Sequence, residues 1–195
     1  METMKPRLGS KFGEALAYAA ALHRTQIRKG GDTPYIGHLM SVSALVIEAG
    51  GTETQAIAGL LHDAVEDQGG PPTLAEIRSR FGDAVATIVS ECSDTDEVPK
   101  PPWRARKERY IDHLSSASQD TLLVSLADKV DNARAILRDV QLCGAALWTR
   151  FSVSDPNEHL WYYRSLLQVF EEQSDSWLVD ELRRTLDEIA SLVDA

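Results

Sequence analysis

The residues with the clearest chemical potential lie in the segment 60–67, where an apolar helical face is opposed by a histidine and three acids. In a helix, the polar face would be formed by His62, Asp63, Glu66 and Asp67. The acids come at the end of the predicted helix, where its dipole disfavours each negative charge by about 0.3–1 kcal/mol. A bound cation would reverse that repulsion. A surface helix with an acidic end is the alternative, but Ala56 and Gly59 on the same face indicate close packing instead of contact with water.

Two further candidates lie in apolar helical segments. His38 is near the start of a predicted helix over 37–49 that has almost no polar face. A histidine in such a helix is more often part of the core, but a place in the first turn should lower its pKa and favour the neutral, metal-binding imidazole. Asp128 lies on a small, nearly uncharged face of a predicted helix over 121–140, with Asn132 one turn further on. A buried carboxylate needs a partner, because its isolated charge costs several kcal/mol.

These residues form a ligand set of two imidazoles and two carboxylates: His38, His62, Asp63 and Asp128. Such a set suits one divalent metal ion, and manganese, iron, zinc and magnesium are all compatible with nitrogen and oxygen ligands. The only two cysteines, Cys92 and Cys143, lack the spacing of a structural zinc site, and we expect both to be reduced. An octahedral ion with these ligands would keep two positions for water and a phosphoryl oxygen.

Two short basic segments occur in this acidic chain. Arg28 and Lys29 precede a pair of glycines in a predicted loop. Residues 103–110 contain the densest basic patch, which comprises Arg104, Arg106, Lys107 and Arg109. Each segment can be a solvated surface or can bind a phosphate or another polyanion, and Arg28 and Lys29 can also stack on a base. The sequence alone leaves these alternatives open.

The composition narrows the classes of partner. The 195 residues carry a net charge of −10, which argues against binding to nucleic acid or to an anionic membrane. The N-terminal residues 1–10 lack an apolar signal core, and no apolar run reaches about 18 residues. We therefore expect a cytoplasmic protein.

Apolar residues recur at helical spacing and no strand pattern is present, so the predicted fold class is all-α. A central helix should begin at Thr52 or Thr54 and continue through Asp67, and a capping box is predicted at 73–76. An aromatic run between Trp148 and Phe170 is typical of core. Residues 93–102 should form an irregular loop. Other helices are predicted over 11–25, 37–49, 83–91, 121–140 and 177–193.

The order of these residues resembles the HD superfamily of metal-dependent phosphohydrolases. It is most similar to the hydrolase-domain branch of the RelA/SpoT proteins and their single-domain relatives, the small alarmone hydrolases of the metazoan SpoT homologue type. Each motif alone is weak, but the ordered set is specific and spans about 12–170. The matching stretches are 19–23 with Gln26 and 28–30, then 34–38, 60–67 and 126–134.

The resemblance implies an HD-domain helical bundle of roughly eight to ten helices. It implies one hydrolase domain over 1–195, with a metal-site core at about 12–140 and C-terminal helices at 143–195 packed on it. The implied reaction removes the 3′-pyrophosphate of guanosine 3′,5′-bis(diphosphate) or the pentaphosphate, releasing pyrophosphate and GDP or GTP. This reaction degrades the alarmone of the stringent response and usually uses one manganese ion.

The resemblance also implies roles for individual residues. The metal ligands would be His38, His62, Asp63 and Asp128. Glu66 and Asp67 would orient and deprotonate the attacking water. Arg28 and Lys29 would contact the nucleobase and Asn132 the nucleoside. The phosphates would be contacted by Lys107, with Arg109 and Arg134 as further candidates.

The chain departs from the family pattern at two positions. Leu39 stands where proline commonly follows the histidine, and Ala135 stands where relatives often carry a polar residue near the nucleotide. The second departure leaves adenosine alarmones open as substrates. The resemblance to the metazoan SpoT homologue also leaves NADPH or another nucleotide open. A non-catalytic nucleotide sensor is a third hypothesis, although the intact ligands and acids argue against it. The sequence does not reveal the oligomeric state, and a homo-oligomer is possible.

Overall fold

The computed structural model describes residues 8–94, 99 and 101–194, and the regular secondary structure within these residues consists of helices. An isolated antiparallel bridge between Ile27 and Pro34 closes the loop after the first helix, and no strand is present in the described segments. The all-α prediction is confirmed. Residues 95–98 and 100 of the predicted irregular loop, and residues 1–7 of the N-terminus, lie outside the described segments. The helices are α1 (Ser10–Leu22), α2 (Ile36–Glu48), α3 (Glu53–Leu61), α4 (Ala64–Gln68), α5 (Pro71–Phe81), α6 (Asp83–Cys92), α7 (Trp103–Leu114), α8 (Gln119–Cys143), a 3-10 helix (Gly144–Arg150), α9 (Pro156–Gln173) and α10 (Trp177–Val193).

The predicted central helix is divided in two. α3 begins at a capping box formed by Thr52 and Gln55, as predicted, but it ends at Leu61. His62 and Asp63 form a turn, and Asp63 is the residue before α4. Glu66 and Asp67 therefore lie in the first turn of α4 and not at the C-terminal end of a long helix. The predicted repulsion between these acids and a helix C-terminus was wrong, because acids are favoured at a helix start.

The capping box predicted at 73–76 was also wrong. α5 begins earlier, at Pro71, and Gly70 precedes it with a φ of 63° that favours glycine. Proline is well suited to the first helical positions because its fixed φ matches the helix and its missing N–H is not needed there. Thr73 lies inside the helix, and its hydroxyl donates to the Gln68 carbonyl at 3.0 Å.

The helices α2, α3 and α8 pack against each other at the centre of the fold. A side chain at Gly59 would meet the Ser43 backbone at 3.1 Å, so glycine allows α3 to approach α2 closely, as the small polar-face residues predicted. Ser43 also donates to the Ala56 carbonyl at 2.8 Å. This close packing places the ends of α2 and α3 next to the middle of α8.

The C-terminal helices cover the other side of α8. α10 packs on α8 and α9, and α9 packs on α7. The aromatic run contributes to the core, since Trp148, Tyr162, Tyr163 and Phe170 are buried. None of the helices in the described segments has both the length and the apolar character needed to cross a membrane.

Candidate metal centre

The ligand candidates come from three separate places and meet at one point. His38 is in the first turn of α2, His62 and Asp63 connect α3 to α4, and Asp128 is in α8. The Nε2 atom of His38 is 3.2 Å from Asp128 Oδ1 and 3.5 Å from Asp63 Oδ2. The Nε2 atom of His62 is 3.4 Å and 3.1 Å from the same two oxygens. The structure therefore brings together every predicted metal ligand.

The buried imidazole nitrogens fit a metal ion. Both Nε2 atoms, of His38 and His62, are buried and have no hydrogen-bond partner. Ligand atoms about 2.0–2.2 Å from an ion and at right angles to each other lie about 3 Å apart, which is close to the distances seen here. His38, His62 and Asp128 are buried and offer ligand atoms within 4.8 Å of one another. Two nitrogens and carboxylate oxygens, without thiolate, form a donor set for a divalent cation.

The other ring nitrogen of each histidine is held by a hydrogen-bond acceptor. Nδ1 of His62 donates to the Gly59 carbonyl at 2.9 Å. Nδ1 of His38 donates to Asp131 Oδ2 at 2.6 Å. A proton on Nδ1 leaves the Nε2 lone pair free to bind a metal, and such partners orient the ligand.

The carboxylate ligands have their own hydrogen-bond donors. The Tyr35 hydroxyl donates to Asp63 Oδ2 at 2.5 Å. Asn132 donates to Asp128 Oδ1 at 2.5 Å, and the Lys129 ammonium donates to Asp128 Oδ2 at 2.5 Å. These contacts supply the partner that a buried Asp128 requires. They also fix the oxygens that face the imidazoles.

The electrostatics of the cluster differ from the prediction for His38. Burial alone would lower its pKa, but the carboxylates of Asp128, Asp131 and Asp63 raise the pKa to about 9. The effect of the helix start is therefore outweighed, because three acids lie within 3.5 Å of the ring. Against the opposing effect of burial, the imidazoles also hold the pKa of Asp63 well below its usual range. This cluster stabilises positive charge, and a divalent ion is one way to supply it.

The two acids predicted to act on water lie in the first turn of α4, directly after the His62–Asp63 pair. Asp67 is exposed, and its Oδ2 accepts a hydrogen bond from Gln26 at 2.7 Å. Glu66 is half-buried, and its Oε2 accepts from the Asp94 backbone at 3.4 Å. The loop before α2 and the segment after α6 thus each contact one of the two acids.

The residues predicted to contact substrate are distributed unevenly. Arg28 lies at the cluster because its guanidinium donates to Asp131. Asn132 lies there because its amide donates to Asp128. Lys29 is exposed on the same loop as Arg28. Lys107 is paired with Asp94 at 3.0 Å, and its ammonium lies 4.7 Å from the centre of the Tyr162 ring.

Arg134 points elsewhere. On an ideal helix at about 100° per residue, it lies about 120° around α8 from Asp128. Its guanidinium pairs with Glu181 of α10 at 2.8 Å, in the groove between α8 and α10. The structure does not bring Arg134 to the ligand cluster.

Three residues at the cluster were missed by the sequence reasoning: Tyr35, Lys129 and Asp131. Asp131 is within about 60° of Asp128 on the helix and Tyr35 directly precedes α2, so their positions were available as signals. Lys129 adjoins Asp128 in sequence, and Asp128 in turn raises its pKa well above the usual range despite burial. The partners of Tyr35 and Asp131, however, come from distant parts of the chain and leave no local pattern.

Comparison with known proteins agrees with the geometry. A family model described as HD domain matches residues 15–151. Guanosine-3′,5′-bis(diphosphate) 3′-pyrophosphohydrolase MESH1 of Xenopus tropicalis is 38% identical over 145 residues, covering 73% of this chain and 76% of that protein. The Homo sapiens protein of the same name is 37% identical, with the same coverage of 73% and 76%. A solved structure of a metazoan orthologue of SpoT, which hydrolyses ppGpp and plays a role in starvation responses, matches with a TM-score of 0.73. That match has 30% identity and covers 95% of this chain and 96% of the other. The chain therefore belongs to the HD domain family, as the order of its motifs predicts.

Proposed function

We propose that the protein is a metal-dependent hydrolase that removes the 3′-pyrophosphate of guanosine 3′,5′-bis(diphosphate) and of the pentaphosphate. The products would be pyrophosphate and GDP or GTP, so the reaction would degrade the alarmone. The observation that carries the proposal is the pair of buried, unpartnered Nε2 atoms facing two carboxylate oxygens. Its support is the 38% identity to an enzyme named for this activity.

The proposed metal ligands are His38, His62, Asp63 and Asp128, and the proposed ion is a single manganese. When bound, a divalent ion supplies Lewis-acid polarisation of a phosphoryl oxygen and of water. The chain itself keeps both imidazoles oriented through Gly59 and Asp131. The absence of thiolate among the ligands favours a hard or borderline ion, and manganese is the choice that the resemblance implies.

Glu66 and Asp67 are proposed to position water and to accept its proton. The water oxygen would bond to the phosphorus attached to the ribose 3′-oxygen, and the bond between that phosphorus and the 3′-oxygen would break. The 3′-oxygen would then take up a proton, so that the nucleoside leaves as an alcohol and the diphosphate as pyrophosphate. A carboxylate within hydrogen-bond reach of the water is suited to this proton transfer.

The cationic residues near the cluster are proposed to bind the highly charged substrate. Arg28 and Lys29 would contact the nucleobase, Lys107 would contact the phosphates, and the uncharged Asn132 would contact the nucleoside. Local positive charge next to the site is needed because the protein as a whole carries a net charge of −10. Arg134 is left out of this proposed site because it pairs with Glu181 between α8 and α10.

The proposal is tested by incubating the purified protein with Mn²⁺ and guanosine tetraphosphate and separating the products. We expect GDP and pyrophosphate in equal amounts, and loss of turnover when the metal is chelated. Orthophosphate as the only product, or no product with a protein that binds Mn²⁺, would contradict it. A panel with adenosine alarmones, NADPH, Mg²⁺, Fe²⁺ and Zn²⁺ would identify the preferred base and metal.

Three further expectations belong to the same proposal. The C-terminal helices are proposed to be part of one hydrolase domain over 1–195, since Tyr162, Tyr163 and Trp148 share the core with α8. A cytoplasmic location is tested by cell fractionation, and a possible homo-oligomer by light scattering of the purified chain.

A further inference from the structure

One carboxylate oxygen, Asp131 Oδ2, joins the ligand cluster to the loop before α2. It accepts a hydrogen bond from His38 Nδ1 at 2.6 Å and from the Arg28 guanidinium at 2.5 Å. The side chains of Asp131 and Arg28 are each only 19% exposed, and that of His38 is 1% exposed. This three-membered contact connects α8, α2 and the loop of residues 23–35 at a single atom.

We propose that Asp131 is a positioning residue that makes the metal site and the nucleotide-facing loop form as one unit. The inference rests on the proposed function, because it concerns the affinity for a metal and a substrate that are themselves proposed. Asp131 would act on the metal through His38 and on the nucleotide through Arg28. Asp131 itself would contact neither the metal ion nor the nucleotide.

The effect on the metal follows from the tautomer of His38. A carboxylate that accepts the Nδ1 proton keeps the Nε2 lone pair directed at the ion and makes the imidazole a stronger ligand. The other ligand histidine has an uncharged acceptor, since Nδ1 of His62 donates to the Gly59 carbonyl. Asp131 is therefore the only charged acceptor of a ligand histidine's Nδ1 among the described residues.

The effect on the loop follows from its construction. The Arg28 backbone donates to the Thr33 carbonyl at 2.9 Å, and the Tyr35 backbone donates to the Gln26 carbonyl at 2.9 Å. The loop is thus closed on itself, and its side chains dock on the cluster at two points. Arg28 contacts Asp131, and the Tyr35 hydroxyl contacts Asp63. Loss of the Asp131 charge would remove the contact between Arg28 and the cluster and leave only the contact of Tyr35.

The first test measures Mn²⁺ binding without substrate, by isothermal titration calorimetry, for Asp131→Ala and the nearly isosteric Asp131→Asn. Loss of a partner to a ligand histidine weakens metal binding by about 10- to 100-fold. We expect a loss in this range for Asp131→Ala and a smaller one for Asp131→Asn, whose amide oxygen can still accept from Nδ1. The control is Asp139→Asn, which removes a carboxylate from the same helix that pairs with Arg138 and Arg150 at 3.2 Å.

The second test asks whether Arg28 acts through Asp131. At saturating Mn²⁺, Asp131→Asn should raise KM with a smaller change in kcat, and Arg28→Gln should raise KM as well. The double variant should have a KM close to that of Arg28→Gln alone, because Asp131 has no further effect on the nucleotide once Arg28 is removed. A double variant whose fold-increase in KM equals the product of the two single fold-increases would overturn the link to Arg28.

The outcomes separate this inference from the proposed function. Wild-type protein that fails to bind Mn²⁺ would contradict the proposed function. Wild-type protein that binds Mn²⁺, together with a folded Asp131→Ala or Asp131→Asn variant of unchanged affinity, would overturn the inference alone. Thermal melts of each variant without metal establish that it is folded, and Asp131→Asn keeps the test open if Asp131→Ala does not fold.

Discussion

The Nε2 atom of His62 faces Oδ1 of Asp128 across 3.4 Å without forming a hydrogen bond. In the neutral ring the proton lies on Nδ1, which donates to the Gly59 carbonyl at 2.9 Å. A lone pair on nitrogen therefore points at a carboxylate oxygen, and His38 presents a second such nitrogen to the same oxygen at 3.2 Å. Only a proton or a cation between these atoms makes the arrangement favourable.

This relationship predicts that divalent metal stabilises the folded protein. At a free Mn²⁺ concentration about 100 times Kd, the free energy of unfolding should rise by about 2.7 kcal/mol relative to protein in chelator. Urea unfolding in the two conditions measures the difference. Asp128→Asn is the matched control, because it keeps the shape of the side chain but removes its charge and should lose most of the gain. Equal stability of the wild-type protein with and without Mn²⁺ would rule out the metal site.

A second prediction concerns the acids that follow the ligand pair. Glu66→Gln or Asp67→Asn should lower kcat by about 10²- to 10⁴-fold, because a general base contributes a factor of this size. The Mn²⁺ affinity should stay close to that of the wild type, since neither acid is a proposed ligand. Steady-state kinetics and calorimetry on the same samples separate the two effects.

The control for the acids is Glu76→Gln, which removes an exposed carboxylate of α5 that pairs with Arg80 at 2.8 Å. It should leave kcat unchanged. A large fall for only one of the two site variants would identify the base. Unchanged kcat for both would show that the proposed mechanism is wrong.

The sequence predicted which residues meet, because their types are informative even without their positions. His38 and Asp128 are polar residues in apolar helices, and a buried polar group needs a partner. The helix break at His62 was not predictable in the same way. Both residues of the turn keep right-handed backbone angles, with φ of −58° for His62 and −94° for Asp63, and neither proline nor glycine marks the site.

The ion-pair partners of the basic residues could not be predicted from the local sequence pattern. Arg28 and Arg134 both stand in motifs of the family, yet Arg28 pairs with Asp131 at the cluster and Arg134 pairs with Glu181 on α10. Helical spacing separates Arg134 from Asp128 on α8, so part of this difference was contained in the sequence. The identity of each acidic partner depends on how distant helices pack, which periodicity does not report.

A third prediction concerns the ion pair between Lys107 and Asp94. Burial lowers the pKa of Lys107, and the adjacent Asp94 carboxylate, at 3.0 Å, opposes that shift and neutralises the ammonium. A substrate phosphate must therefore compete with Asp94 for this cation. Hydrogen bonds to charged groups contribute about 1.5–3 kcal/mol, and the lower end of this range corresponds to a fall in KM for guanosine tetraphosphate of about tenfold in Asp94→Asn.

Initial rates at saturating Mn²⁺ measure this effect. Lys107→Gln should instead raise KM, because it removes the cation that binds the phosphate. Arg104→Gln is the matched control, because Arg104 is exposed and pairs with Glu108 and Glu158 instead of Asp94. An Asp94→Asn protein that melts normally but has an unchanged or higher KM would exclude competition at Lys107.

The last prediction concerns a histidine outside the metal centre. His159 is packed against the rings of Phe151 and Trp148, with ring centres 4.8 and 5.3 Å away, and its Nε2 donates to the Val153 carbonyl at 2.7 Å. Burial lowers its pKa below the ordinary value of 6.5, so the folded state disfavours its protonation relative to the unfolded chain. Below about pH 6.5 the unfolded chain binds a proton that the folded chain does not, so stability falls with pH by at most about 1.4 kcal/mol per unit from this group.

His159→Gln keeps a donor for the Val153 carbonyl but cannot be protonated. At pH 7.5 it should be less stable than the wild type because it loses the ring packing. The difference in unfolding free energy should then shrink as the pH falls from 6.5 to 5.5, since only the wild-type protein loses stability through this residue. Urea unfolding in chelator at each pH measures the difference without the metal contribution. Parallel curves for the two proteins would show that His159 is protonated equally in the folded and unfolded states.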